Sequence, residues 1–276
     1  MKKLLCCLLC LTALSLCFLT GCGGKKTITI GTMAQPGEPI LKYIEEKFED
    51  RTGYNLSIQV YTDFATPNNA LAAGEIDANL FQHKPYLDTY NANNNTNLVS
   101  AAIMYDCAYG GYTKKNIASL EEIPNGKVIT IANDASNMKR CLDILAQEGL
   151  IEVDYGNNDV KSLNPDNVNN YIKSNPKELI ISPISTNLIA QSLDDENTYL
   201  GIVNATFAIA AGLGSNATLI CKEADITHQN ANILACRNDS VDEEWLKVLV
   251  EILTSKDTDD FVKETFGVTI TPYHGE

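Results

Sequence analysis

The stretch from Tyr61 to Leu87 gathers the side chains best suited to hold a small molecule. It reads Tyr61-Thr62-Asp63-Phe64-Ala65-Thr66-Pro67-Asn68, then Gly74-Glu75-Ile76-Asp77-Ala78-Asn79-Leu80-Phe81-Gln82-His83-Lys84-Pro85-Tyr86-Leu87. One strand end delivers Phe64 and a second delivers Phe81, while Tyr86 follows His83 by about one helical turn. Strand C-termini of an open α/β sheet face a crevice, so three aromatic rings and one imidazole could line a single wall. Composition by itself favours a core role for the same rings. Signatures of catalysis are weaker. Gly212-Leu213-Gly214-Ser215-Asn216-Ala217 fits a dinucleotide pattern but follows an expected helix, where a helix-ending turn is the simpler reading. Gly24-Lys25-Lys26-Thr27 only approaches a phosphate loop, and neither GxSxG nor HExxH occurs. Cys141 stands beside Arg140, yet it belongs to a core stripe, which argues against an activated thiolate.

The elements that must position these residues alternate between strand and helix from Thr27 onward, the pattern of α/β folds with largely parallel sheets. Thr27 to Gly31 reads as a buried first strand. Glu38 to Arg51 follows as a helix with Ile40, Leu41, Ile44 and Phe48 on one face and Gly53 at the C-cap position. Asn55 to Tyr61 is a second strand, Pro67 opens a short helix closed by Gly74, and Ile76 to Leu80 is a third strand. A polar helix runs from Tyr86 to Asn94. The long strand Leu98 to Cys107 leads into Tyr109-Gly110-Gly111-Tyr112, where the chain is expected to cross into a second lobe. There, Val128 to Ile131 is a strand and Ser136 to Glu148 a helix with Met138, Cys141, Leu142 and Leu145 inward; Arg140 lies opposite that stripe, where solvation is one reading. Strands at Glu178 to Ser182 and Tyr199 to Val203 and a helix at Ala205 to Ala211 complete the lobe. Ala231 to Cys236 is the return crossing, and helices at Asp242 to Thr254 and Asp257 to Phe266 pack back on the first lobe. Two lobes joined by two strands imply a cleft between them.

The 276 residues, 45% hydrophobic and 20% charged, suffice for such a body. A formal charge of −14, with no Lys/Arg run longer than two, argues against nucleic acid as a partner. Lys2 and Lys3 precede an apolar run from Leu4 to Leu19 that has the order of a secretory signal and is short for a membrane span. It ends in Leu19-Thr20-Gly21-Cys22, a bacterial lipobox, which marks Cys22 for lipidation. Residues 1–21 are then a signal peptide and 22–26 a lipidated tether. Their removal takes away Lys2 and Lys3 and no acid, moving the formal charge from −14 to −16. Cys107, Cys141, Cys221 and Cys236 remain, either free or paired in one of three connectivities. His83, His228 and His274 are too scattered for a metal site, and no metal or cofactor is expected.

The Tyr61–Leu87 run closely resembles the methionine-binding lipoproteins, the substrate-binding subunits of bacterial methionine ABC importers, with their FTDY-x-x-PN and G-E-x-DAN-x-FQH-x-PYL segments. The resemblance extends to Ile131-Ala132-Asn133-Asp134-Ala135-Ser136-Asn137-Met138-Lys139-Arg140-Cys141-Leu142, to Val203-Asn204-Ala205-Thr206-Phe207-Ala208 with Ala211-Gly212-Leu213, and to Asn230-Ala231-Asn232-Ile233. It implies a two-lobed α/β periplasmic binding protein, type II-like, with lobe 1 formed by 27–111 plus 229–276, lobe 2 by 112–228, and a central ligand cleft. It further implies that Arg140 holds the α-carboxylate of the ligand, that Asn204 and Asn232 bind its amino-acid backbone with support from Asn137, and that Phe64, Phe81, His83 and Tyr86 surround its side chain. Aromatic rings around a thioether favour methionine. The expected partners are L-methionine or a close analogue, a permease with its cytoplasmic ATPase, and the outer face of the cell membrane through the lipid on Cys22; no catalysis is expected. Thr206, Asn230 and the loop Thr32-Met33-Ala34-Gln35-Pro36-Gly37 depart from the family pattern, which bears on ligand identity more than on ligand class. The rival readings are an extracellular hydrolase using the cleft, a lipoprotein for a different amino acid, and an adhesin-like or metal-binding lipoprotein that has kept only the fold.

Overall fold

The computed structural model describes residues 25–156, 160–224 and 228–275; the signal, Cys22 and the start of the tether lie outside them. The central parallel strands come from sequence runs that can be buried on both faces. Strand β1 (Thr27–Met33) has Ile28, Ile30 and Met33 buried, as a central parallel strand requires. Helix α1 (Gly37–Thr52) turns Ile40, Leu41, Ile44 and Phe48 inward, and Gly53 closes it at φ 73°, its N–H donating to the carbonyl of Glu49. A left-handed residue there is accessible to glycine at little cost. Strand β2 (Asn55–Tyr61), helix α2 (Thr66–Ala73), strand β3 (Ala78–His83), helix α3 (Lys84–Asn94) and strand β4 (Val99–Cys107) follow.

The second half repeats the scheme with β5 (Tyr109–Thr113), β6 (Val128–Ala132), α4 (Ala135–Gln147), the short pair β7 (Glu152–Val153) and β8 (Ile172–Ser174), β9 (Ile180–Ile184), α5 (Ile189–Ser192), β10 (Thr198–Asn204), α6 (Ala205–Ala210), α7 (Leu213–Asn216) and β11 (Thr218–Lys222). The chain then returns through β12 (Asn232–Cys236) to α8 (Glu244–Leu253), α9 (Lys256–Phe266) and β13 (Ile270–Pro272). The strands form a six-stranded sheet, β13-β4-β12-β3-β1-β2, and a five-stranded sheet, β11-β5-β10-β6-β9. This is the two-lobed α/β architecture, with one crossing between β4 and β5 and the other between β11 and β12. The sheets are more mixed than the alternation implies. β2-β1-β3 and β9-β6-β10 are parallel, but β12 runs antiparallel to β3 and β4, and β5 antiparallel to β10 and β11. The physical reason is the crossing itself: a strand that passes directly from one sheet to the other enters against the local strand direction.

Tyr109, Gly110 and Gly111, which the sequence places with the first lobe, pair here with β10 and β11 of the second sheet. Gly111 has no space for a side chain, because a Cβ would lie 2.3 Å from Cys221 Sγ. Separate apolar clusters fill the two halves: Ile28, Leu41, Phe48, Leu234, Trp245 and Leu249 in the first, Ile129, Met138, Leu142, Leu145 and Leu200 in the second. The four cysteines Cys107, Cys141, Cys221 and Cys236 are free and buried.

Candidate functional site

Helix starts and strand ends converge between the sheets. His83 ends β3 and caps α3, its Nδ1 accepting the N–H of Tyr86 at 3.2 Å. Asn204 ends β10 and caps α6, its Oδ1 accepting the N–H of Thr206. Asp134 caps α4 and holds both the backbone and the side-chain amide of Asn137. Asn232, at the start of β12, lies opposite His83 in register. The caps explain why the sequence folds this way: polar side chains at helix N-caps satisfy orphan backbone N–H groups and fix their own rotamers at the same time.

These positions enclose a narrow cavity of about 10 Å³ lined by Phe64, Phe81, Gln82, His83, Tyr86, Asn137, Asn204 and Asn232. Seven of the eight expected ligand-binding residues thus meet at one place. Phe64 packs on Phe81 at 5.7 Å between ring centroids, on Tyr86 at 6.2 Å and on Phe207 at 4.9 Å. Phe207 belongs to the second half of the chain, so the ring contact spans the cleft. The Tyr86 hydroxyl donates to the carbonyl of Phe64 at 2.8 Å. Across the same cleft, His83 Nε2 lies 2.9 Å from Asn137 Oδ1. With Nδ1 occupied as an acceptor, the ring proton sits on Nε2 and donates to that oxygen.

The eighth residue, Arg140, is placed differently. It is 6% exposed, which removes the solvated reading, and it lines an adjoining open groove together with Ser136, Lys139 and Glu223. Its Nε donates to Glu223 Oε1 at 2.9 Å and its Nη2 to Glu223 Oε2 at 2.6 Å and to the carbonyl of Cys107 at 3.1 Å. The guanidinium also lies over the Tyr109 ring at 4.7 Å. Burial opposes its charge, but the hydrogen bonds and charge of Glu223 more than offset that and hold Arg140 protonated. Nη1 is buried with no hydrogen-bond partner among the described residues.

Three residues at the site were not singled out from sequence: Gln82, Phe207 and Glu223. The first two lie inside motifs already quoted, Phe81-Gln82-His83 and Asn204-Ala205-Thr206-Phe207, so their position beside site residues was a usable signal. Glu223 carried none, being one acid among many and 83 residues from its partner.

Burial, with the nearby charge of Arg140 adding to it, pushes the imidazole of His83 down to about 3. The unfolded chain therefore binds a proton below about pH 6.5 that the folded protein refuses until about pH 3, so stability is full above that window and is lost as pH falls through it. Between pH 7 and 5 His83 is expected to cost about 2 kcal/mol of stability. Urea unfolding of the wild type and His83→Gln at both values checks this, since parallel losses in the two proteins would contradict it. His228 and His274 pair with Asp106 and Asp259 and do not line the cavity. Burial pushes the Cys141 thiol up to about 12, which leaves it protonated at neutral pH. No cluster of three or more metal-ligating side chains occurs among the described residues, and no described helix is long and apolar enough to cross a membrane.

Known proteins share this arrangement of the chain. The family described as NlpA lipoprotein matches residues 28–273. The methionine-binding lipoprotein MetQ of Bacillus subtilis (strain 168) is 32% identical over 250 residues, covering 90% of this chain and 89% of its own. Among solved structures, a nutrient binding protein from Burkholderia cenocepacia bound to methionine superposes with a TM-score of 0.81 at 31% identity, covering 89% of this chain and 99% of its own. An ABC transporter periplasmic substrate-binding protein from Coxiella burnetii gives 0.79 at 31% identity, with 89% and 100% covered. The family match spans nearly all of the described body, and the residues that build the cavity lie within it: the chain belongs to the NlpA lipoprotein family.

Proposed function

We propose that this protein is the substrate-binding subunit of an ABC importer, which captures L-methionine or a close amino-acid analogue between its two lobes and delivers it to the permease. The observation that carries the reading is the cavity itself. Rings from one half of the chain (Phe64, Phe81, Tyr86) and amides from the other (Asn137, Asn204) face the same small space. Polarizable rings suit a thioether, and the amides suit the backbone groups of an amino acid. Asn204 Oδ1 is committed to Thr206 N–H and the Cys107 thiol, which leaves its Nδ2 to donate to a ligand. Arg140 would bind the α-carboxylate through its unpartnered Nη1. A ligand that touches both halves favours the closed state by its differential contacts, as in hinge-closing proteins.

Residues 1–21 would be the signal peptide, and lipid on Cys22 would hold the body at the extracytoplasmic membrane surface, where two or more acyl chains anchor firmly. The relatives named as a binding lipoprotein and a transporter component support this. Calorimetry on the body from residue 23, refolded to remove any carried ligand, tests the reading. Methionine is expected to bind more tightly than other amino acids. Binding of a different amino acid would change the ligand and keep the class; absence of binding by any amino acid would remove the class.

A further inference from the structure

We propose that Glu223 makes the site selective for zwitterions, by neutralising Arg140 while leaving one guanidinium nitrogen free for a ligand carboxylate. The inference rests on the amino-acid reading above and concerns the net charge that the same site accepts. An arginine has five N–H donors. Here Nε gives its one to Glu223, and Nη2 gives its two to Glu223 and the carbonyl of Cys107. The two on Nη1 are buried and have no acceptor among the described residues. Glu223 therefore takes one edge of the fork and does not need to be displaced by a ligand.

The charge balance follows from the same geometry. Both side chains are largely buried, 7% and 15% exposed, where unpaired charge is costly. The residues lining the cavity, Phe64, Phe81, Gln82, His83, Tyr86, Asn137, Asn204 and Asn232, contribute no formal charge, the imidazole being held neutral by burial. An isolated Arg140 beside them would attract a monoanion most strongly. With Glu223 bound side-on, the pair sums to zero; the nearby buried carboxyl of Asp106, hydrogen-bonded to His228, adds no net positive charge, so a ligand carboxylate on Nη1 gains most when it brings its own cation. Glu223 is thus a positioning residue that fixes the fork and a specificity residue that sets the charge of the accepted ligand.

The test compares methionine with 4-(methylthio)butanoate, which has the same thioether and carboxylate but no ammonium group. Wild type is expected to bind methionine at least about 100-fold more tightly, and Glu223→Gln to narrow that ratio to about 10-fold or less, since one buried charge is worth that much or more. Glu223→Asp, which keeps the charge, is expected to stay within about threefold of the wild-type ratio. An unchanged ratio in Glu223→Gln, or an equal collapse in Glu223→Asp, overturns the proposal. Should Glu223→Gln not fold, Glu223→Ala takes its place with the same expected narrowing, and a wild-type ratio below about 10-fold overturns the proposal in either case. Failure of wild type to bind methionine or any amino acid would instead overturn the amino-acid reading, and this inference with it.

Discussion

Arg140→Ala is expected to raise the Kd for methionine by about 100-fold or more, equivalent to about 2.7 kcal/mol, and to cost about 3–5 kcal/mol of folding stability. The two effects have different origins. The affinity loss follows from removing the charge-assisted donor proposed for the α-carboxylate. The stability loss follows from what remains: among the described residues Glu223 keeps only the N–H of Tyr109 at 3.2 Å, and the carbonyl of Cys107 and the face of Tyr109 lose their cation. Breaking a buried pair from one side costs more than replacing both partners by apolar groups of similar volume. Arg140→Met/Glu223→Leu is therefore expected to recover most of the stability, measured by urea unfolding, and none of the affinity, measured by calorimetry. If Arg140→Ala binds methionine within about 10-fold of wild type, the carboxylate is held elsewhere.

That Arg140 lies in an ion pair could not be read from its neighbours in sequence. The periodic elements were legible because their signals are local. The apolar spacing of Ile40, Leu41, Ile44 and Phe48 with Gly53 behind it gives α1 to within a residue at each end, and the stripe Met138, Cys141, Leu142 and Leu145 gives α4 as closely. Strand ends are less legible, since the sequence places the third strand at Ile76 to Leu80 and β3 spans Ala78–His83. Its last residues are buried by the cavity and by pairing with β12, a contact made 150 residues later in the chain. Sheet order and the antiparallel entry of β5 and β12 are likewise set by long-range pairing. The cavity was legible for a different reason: seven of its residues fall in short motifs at helix starts and strand ends, where capping and the sheet geometry aim side chains at a common crevice. Glu223 is the converse case, a residue defined only by the guanidinium it meets.

Asn68→Ala is expected to cost about 3 kcal/mol of stability, because it orphans polar groups that are fully buried. Asn68 lies behind the cavity at the start of α2, with 0% exposure, and forms a closed set of amide bonds with Asn79 and Gln82. Its Nδ2 donates to Gln82 Oε1 at 2.7 Å, and its Oδ1 accepts from Gln82 Nε2 at 2.7 Å and Asn79 Nδ2 at 2.9 Å. Gln82 Nε2 also donates to Asn79 Oδ1 at 2.9 Å. Without Asn68, Gln82 Oε1 has no donor among the described residues, and Asn79 Nδ2 keeps only the carbonyl of Pro67 at 3.5 Å. Because Gln82 lines the cavity between Phe81 and His83, loss of its anchor should loosen the wall and raise the Kd for methionine by about 10-fold, or 1.4 kcal/mol. Asn68→Asp separates hydrogen bonding from packing. Ionised, the carboxylate accepts but cannot donate to Gln82 Oε1, and it is a buried charge; protonated, it can do both. Burial raises its folded pKa above the unfolded value, so the folded state binds the extra proton and the deficit relative to wild type should shrink as pH falls from 7 toward 5. A deficit that stays constant with pH would show that the amide set contributes shape alone, and that the wall of the cavity is held by packing instead of by the Asn68–Gln82 bond.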